Sequence, residues 1–152
     1  SELSGLENIT HIPKLGVYGN HDSGMYFEPL GITNMHLKTF EYGGVTFGGF
    51  EGCVRYKNDP YAKMYTQEEA TELLKDFPYV DVMLVHCPPY GINDEPDEVA
   101  HQGYRALRAY VEEKKPKYLF HCHTYPTAET LVTDFKETEI CYIYQDKILE
   151  IG

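Results

Sequence analysis

Positive charge is scarce in this chain. Thirteen Lys and Arg stand against 24 Asp and Glu over 152 residues, a formal net charge of -11 at pH 7. Such a surface repels phosphate backbones and counts against extended nucleic-acid contacts. A phosphate that binds here must find its positive charge locally, and a bound metal ion is the obvious source. No apolar run is long enough to span a bilayer, and the first residues lack a basic-then-apolar secretory pattern. The four cysteines (Cys53, Cys87, Cys122, Cys141) form no CxxC pair and no disulfide-like framework. Reduced thiols and a cytoplasmic location are therefore the default expectation. Internal repeats, low-complexity tracts and linkers are also missing, so residues 1–152 read as a single domain.

What is present suits a globular domain with a proper core: 42% hydrophobic residues, 24% charged, 14 Tyr and 7 Phe. Apolar runs bounded by Gly, Pro, Asn and Asp predict strands at Lys14–Tyr18, Met35–Glu41, Val45–Phe50, Val80–His86, Lys117–His121, Thr130–Phe135, Ile140–Tyr144 and Lys147–Ile151. Gln145-Asp146 suggests a hairpin between the last two. Thr66 and Glu69 form a capping box ahead of a helix over Glu69–Phe77, which Pro78 stops. A second helix is expected over Asp97–Lys114, with Val99, Leu107, Tyr110 and Val111 on one side and basic Lys114-Lys115 at its end. Helix-flanked strands followed by an antiparallel C-terminal run imply a mixed α/β sandwich. Function would then sit in loops leaving the strand ends.

Three strand ends finish in metal-ligand residue types. The first is Val17-Tyr18-Gly19-Asn20-His21-Asp22, the second Val85-His86 before Cys87-Pro88-Pro89, the third Phe120-His121-Cys122-His123. Asn is a hard oxygen ligand, His a ligand or proton carrier, and Asp can orient a His through its second ring nitrogen. Each also has a plain reading: an Asn-containing turn, a polar strand end meeting solvent, an exposed His-x-His edge. On an extended segment His121 and His123 would point the same way. Together with Asn20 and His86 they supply oxygen and nitrogen ligands suited to Mn, Fe, Co, Ni or Zn. Cys122, between the histidines, would face away as a small buried residue.

The three motifs in this order and spacing resemble the calcineurin-like metallophosphoesterase family. The likeness runs through nearly the whole chain, including Gly48-Gly49-Phe50-Glu51-Gly52 and the segment starting at His101. It implies an α/β fold of mixed α+β character, a β-sandwich flanked by helices. It also implies two divalent metals, bridged by an aspartate and a hydroxide that attacks phosphorus in line. By resemblance Asn20 and His86 bind one of those metals. His21 protonates the leaving oxygen or stabilises its charge, and Asp22 orients it. The substrate would be a small phosphomonoester or phosphodiester, a nucleotide among them.

Two departures qualify that picture. The family pattern Gly-His-x-His maps here in two registers. In one, His121 and His123 are both ligands and Phe120 replaces the glycine; in the other, Cys122 replaces the glycine, His123 is the first ligand and Tyr125 takes the second place. His123 is a ligand in both, and the first register is the expectation carried forward. The family's Asp-x-His and Gly-Asp motifs lie upstream of this Gly-Asn-His-Asp, yet the eighteen residues before Gly19 contain no aspartate. The expectation is a C-terminal portion of a phosphatase or phosphodiesterase, N-terminally incomplete and lacking its first strands. The alternative is a non-catalytic metal-binding or scaffold module with an incomplete dinuclear site.

Milder expectations complete the reading. Asp94, Glu95, Asp97 and Glu98 form a solvated acidic helix start, His101 divides evenly between the site and the surface, and Arg55 is a surface cation before it is a phosphate contact. The tyrosines would pack at sheet–helix boundaries, where a phenol reaches water.

Overall fold

A computed structural model describes residues 3–22, 24–127 and 131–151. Strands β1 (Leu15–Gly16), β2 (Thr33–Asn34), β3 (Thr39–Tyr42), β4 (Val45–Phe50), β5 (Cys53–Val54) and β6 (Met64–Tyr65) precede helix α1 (Gln67–Leu74). Strand β7 (Val82–Val85), helix α2 (Arg105–Lys114) and strands β8 (Tyr118–His121), β9 (Val132–Phe135) and β10 (Thr138–Tyr142) follow. Six strands form one sheet in the order β3-β4-β7-β8-β10-β9. Its four inner strands run parallel and its two edge strands antiparallel. The mixed α/β class is as expected. Instead of a second large sheet, the described residues add two short ladders, β1 with β2 and β5 with β6.

Register explains the core. Gly48, Met83, Leu119 and Ile140 lie abreast across the four parallel strands. Met83, Leu119 and Ile140 are fully buried with Phe50 and Val85, against Leu74, Leu107, Tyr110 and Val111 of the two helices. Phe47, Leu84 and Phe120, whose side chains alternate to the opposite face, are only half-buried. Because β4, β7, β8 and β10 are parallel, Phe50, Val85, His121 and Tyr142 all end at the same edge of the sheet. That edge is where α/β folds place their ligands.

Local chemistry sets the helix limits. Both halves of the Thr66–Glu69 capping box form: Glu69 N–H donates to Thr66 Oγ1 at 3.0 Å, and Thr66 N–H to Glu69 Oε2 at 3.3 Å. Asp97–Lys114 is not one helix. It divides into a 3-10 turn (Val99–His101) and α2, because Tyr104 is taken by the Pro88-Pro89-Tyr90 loop. Tyr104 N–H donates to the Pro88 carbonyl and Tyr90 N–H to the Tyr104 carbonyl, both at 3.0 Å, a strand-like pairing that takes the Tyr104 N–H out of any upstream helix while its carbonyl also accepts from Arg108 N–H at 3.3 Å to start α2. Lys115 adopts φ 55° and closes α2 before Pro116.

The C-terminal expectation needs correction. Lys147–Ile151 is not a strand, and Gln145-Asp146 does not turn a hairpin. The hairpin lies one step earlier, joining β9 to β10 through Lys136 at φ 56°. Of the Thr130–Phe135 strand, Thr130 lies outside the described residues. Met35–Glu41 begins with a single bridge from His36 to Gly49, and its strand starts only at Thr39. No helix among the described residues is long and apolar enough to cross a membrane. All four cysteines are free.

Candidate functional site

Asn20 reaches the sheet edge because the chain after β1 is pinned from both sides. Gly52 N–H donates to the Tyr18 carbonyl at 3.0 Å and Lys63 N–H to the Asn20 carbonyl at 3.2 Å. Gly19 permits the approach, since a Cβ there would stand 3.0 Å from His86 Cε1. Asn20 is buried, and its Oδ1 lies 2.9 Å from His86 Nε2. A carboxamide oxygen only accepts, so His86 carries its proton on Nε2. Asn20 Nδ2 has no partner, although it is buried. Rotating the amide by half a turn would hand that deficit to the oxygen, so either orientation leaves one buried polar atom unsatisfied.

His86 and His123 face each other with ring centroids 4.8 Å apart, and His101 lies 5.5 Å beyond His123. His123 Nε2–H donates to the Ala100 carbonyl at 2.7 Å, which fixes the tautomer and leaves the lone pair on Nδ1. With His21, these side chains line one pocket of about 580 Å3 at the C-terminal edge of the parallel strands. His21 is exposed at its rim, its Nε2 3.5 Å from the Tyr56 hydroxyl. The helix-side ambiguity of His101 resolves toward the pocket. Its Nδ1 lies 3.2 Å from Glu95 and 3.1 Å from Glu98, so two of the acidic residues touch a pocket-lining imidazole.

Desolvation sets the electrostatics. Burial lowers the His86 pKa to about 4, helped by repulsion from His123. Burial also lowers His123, with the Ala100 hydrogen bond opposing. Both rings are therefore neutral near pH 7, the form that coordinates metals.

His121 does not share this pocket. His123 takes φ 68°, a left-handed turn that ends the extended backbone on which the two rings would have pointed together. His121 is buried instead on the other side of the strand end. Its Nδ1–H donates to the Cys122 carbonyl at 3.0 Å, and its Nε2 accepts from Asn93 Nδ2 at 3.1 Å. Both nitrogens are used, and burial lowers its pKa to about 4. Tyr125, the second-register residue, does line the pocket.

Asp22 also stands elsewhere than expected. Its Oδ2 accepts from Gly19 N–H at 2.6 Å, closing the turn. It lies against Tyr26, whose pKa rises to about 12 through burial first and the Asp22 charge second. The Asp22 carboxylate thus contacts Gly19 and Tyr26 and raises the His86 pKa against the effect of burial, its carbonyl accepts from Lys63 Nζ at 2.7 Å, and His21 has its side-chain partner in Tyr56. Arg55 is tied to the Met64 carbonyl at 2.9 Å and lies 3.8 Å from Glu69, away from the pocket. Sequence reasoning missed Asn93, the clamp on His121, and the tyrosines Tyr142 and Tyr144 of the pocket wall. Asn93 sits at φ 60° in the loop after Pro88-Pro89, and no spacing rule ties it to His121.

These residues fit a single divalent ion better than a pair. An ion bonded to both Asn20 Oδ1 and His86 Nε2 at about 2.1 Å and a right angle would hold those atoms ~3 Å apart, close to their 2.9 Å separation, once the His86 proton moves from Nε2 to Nδ1. Among the described residues, no Asp or Glu lines the pocket to bridge two ions. The sequence matches no family model and no curated protein. The structure is similar to one crystal structure over 92% of this chain and 63% of that one, with TM-score 0.62 and 14% identity. It is also similar to the crystal structure of TT1561 of Thermus thermophilus, over 86% of this chain and 62% of that one, with TM-score 0.57 and 17% identity. The chain thus spans less than two thirds of either neighbour. At these identities the likeness establishes the fold alone.

Proposed function

We propose that this chain holds one divalent ion between Asn20, His86 and His123 and contributes that ion and His21 to the hydrolysis of a phosphate ester. The observation that carries the reading is the convergence of three separate strand ends on one pocket, with two neutral imidazoles and a buried carboxamide oxygen 2.9 Å from one of them. An ion bound there would supply Lewis acidity and acidify a coordinated water. Asn20 contributes the hard oxygen, His86 and His123 the nitrogens, and the Ala100 hydrogen bond keeps His123 in its ligating tautomer. His21, exposed at the rim, is placed to donate a proton to a leaving oxygen or to stabilise its charge. Mn, Fe, Zn, Ni and Co all suit this N/O set.

The absence of a lining carboxylate among the described residues favours a second reading, a metal-binding or scaffold module without turnover. Calorimetric titration of Mn and Zn, with hydrolysis of 4-nitrophenyl phosphate mono- and diesters, separates the two. One bound ion with metal-stimulated turnover lost in His21→Ala supports the esterase. One bound ion without turnover supports the module, and no bound ion defeats both.

A further inference from the structure

The cations of this chain are few, yet three of them gather outside the histidine pocket. A groove of about 380 Å3 between α1 and α2 is lined by Lys75, Arg105 and Lys114 against a single carboxylate, Glu113. That balance inverts the 13 to 24 of the whole sequence. Along α2 the lining residues fall in adjacent pairs four apart, Arg105-Ala106, Ala109-Tyr110 and Glu113-Lys114, and so make one stripe of the helix. Thr71 and Leu74 of α1, with its cap Lys75, face that stripe. The floor is apolar, with Leu74, Phe77, Ala106 and Tyr110 all buried. Lys75 pairs with Glu72 at 2.6 Å on the exposed surface. Arg105 and Lys114 enter no ion pair among the described residues, and the Arg105 guanidinium lies over the Tyr90 ring at 3.9 Å. The groove shares no residue with the pocket around His86 and His123.

We propose that this groove docks an acidic amphipathic helix of a partner protein, its apolar face on the floor and its carboxylates on the cationic rim. Charge and shape argue together. Arg105 and Lys114 are nine residues apart, ~14 Å along the helix axis, farther than one small anion spans. A segment with carboxylates on successive turns meets both. The hydroxyls of Thr71 and Tyr110 already donate to the Gln67 and Pro78 carbonyls, so a sugar finds little directed polar contact here. An extended strand would leave its own backbone groups unpaired against the apolar floor. A helix satisfies them internally and presents only side chains. The small side chains of Ala106 and Ala109 leave the space that the partner's apolar residues would enter. Elsewhere the net charge of -11 repels such a segment, which confines it to the groove.

The test is fluorescence anisotropy on the intact chain with a labelled, end-blocked peptide of about 14 residues. It carries Leu along one helical face and Glu on the others, and a scramble of the same composition is the control. The amphipathic peptide should bind at least tenfold more tightly than the scramble. Raising NaCl from about 0.05 M to about 0.5 M should weaken that binding roughly tenfold, because the rim charges are screened. Arg105→Glu combined with Lys114→Glu should remove the preference. Ala109→Leu, which fills the groove and leaves the charge alone, should remove it as well. Arg105 and Ala109 are exposed and Lys114 is half-buried, so these variants retain the fold. Mn affinity should stay within about threefold in all of them, which keeps this surface distinct from the metal site. Equal affinity for the two peptides, or indifference to either variant, overturns the docking site. A dimer of the peptide-free chain in sedimentation that Ala109→Leu dissolves also overturns it, since the groove then belongs to a second copy.

Discussion

His121 and His123 are two residues apart on the same strand end, yet they occupy different chemical worlds. His121 is buried with both nitrogens engaged, one by the Cys122 carbonyl and one by Asn93. His123 lines an open pocket with one nitrogen anchored to Ala100 and the other available. The left-handed backbone at His123 separates them. A saturated imidazole has no lone pair to offer and a half-saturated one keeps one free; residue type alone does not distinguish the two.

The sharpest way to break this comparison is to truncate each ring. His121→Ala should cost about 3 kcal/mol of stability, since it opens a cavity and strands Asn93 without its acceptor. Urea denaturation reads that loss directly, with metal affinity falling far less than in His123→Ala. Should the two variants lose stability equally, the distinction collapses.

Acid offers an effect of similar size. His86 and His121 are held near 4 when folded, against about 6.5 for a free imidazole. The unfolded chain binds more protons, so their stabilisation is complete above pH 6.5 and lost as pH falls toward 4. Each histidine then removes on the order of 3 kcal/mol. Thermal melts of the metal-free protein between pH 7 and 4 should show a steep decline, and the decline should be shallower in His121→Gln. A flat profile would mean that the rings are not desolvated.

Metal affinity comes next. Asn20→Ala or His123→Ala should weaken Mn or Zn binding about a hundredfold, roughly 2.7 kcal/mol, by removing one donor. The change in melting temperature of the metal-free protein should be smaller than for His121→Ala. Asn93→Ala tests the other side of the pair. It should cost about 1–2 kcal/mol by leaving His121 Nε2 unpaired, with metal affinity changed by less than threefold. The smallest expected effect is Tyr56→Phe, which removes the hydroxyl beside His21. It should alter the pH profile of any metal-stimulated hydrolysis while leaving stability within about 0.5 kcal/mol.

Fold and site differed in how far they could be read from residues. Val45–Phe50 emerged with its expected limits, because an apolar-rich run that follows Gly43-Gly44 and ends ahead of Glu51-Gly52 reads simply as a strand. The Thr66–Glu69 box was equally legible, since both partners lie within one helical turn. Asp97–Lys114 misled because its periodicity is genuine, but a tertiary pairing of Tyr104 with Pro88 and Tyr90 overrode it. Lys147–Ile151 misled because apolar alternation near the chain's end carries no information about a neighbouring strand.

For the site, local sequence determined the candidate residue types and their position at strand ends: Asn20 and His21 after a glycine, His86 before two prolines, His123 after a third apolar run. Those are properties of bonded neighbours, and they survive in any fold that makes the strands. Which of the rings meet was decided only by the parallel order β4-β7-β8-β10, which brings distant strand ends to one edge. The turn at His123 then sent His121 to Asn93 and left His123 to the pocket. The tyrosine side of that pocket is likewise a product of folding, assembled from Tyr56, Tyr125, Tyr142 and Tyr144. Desolvation, which neutralises His86 and His123, depends on the packing of the entire sheet edge, and no short segment of chain can specify it.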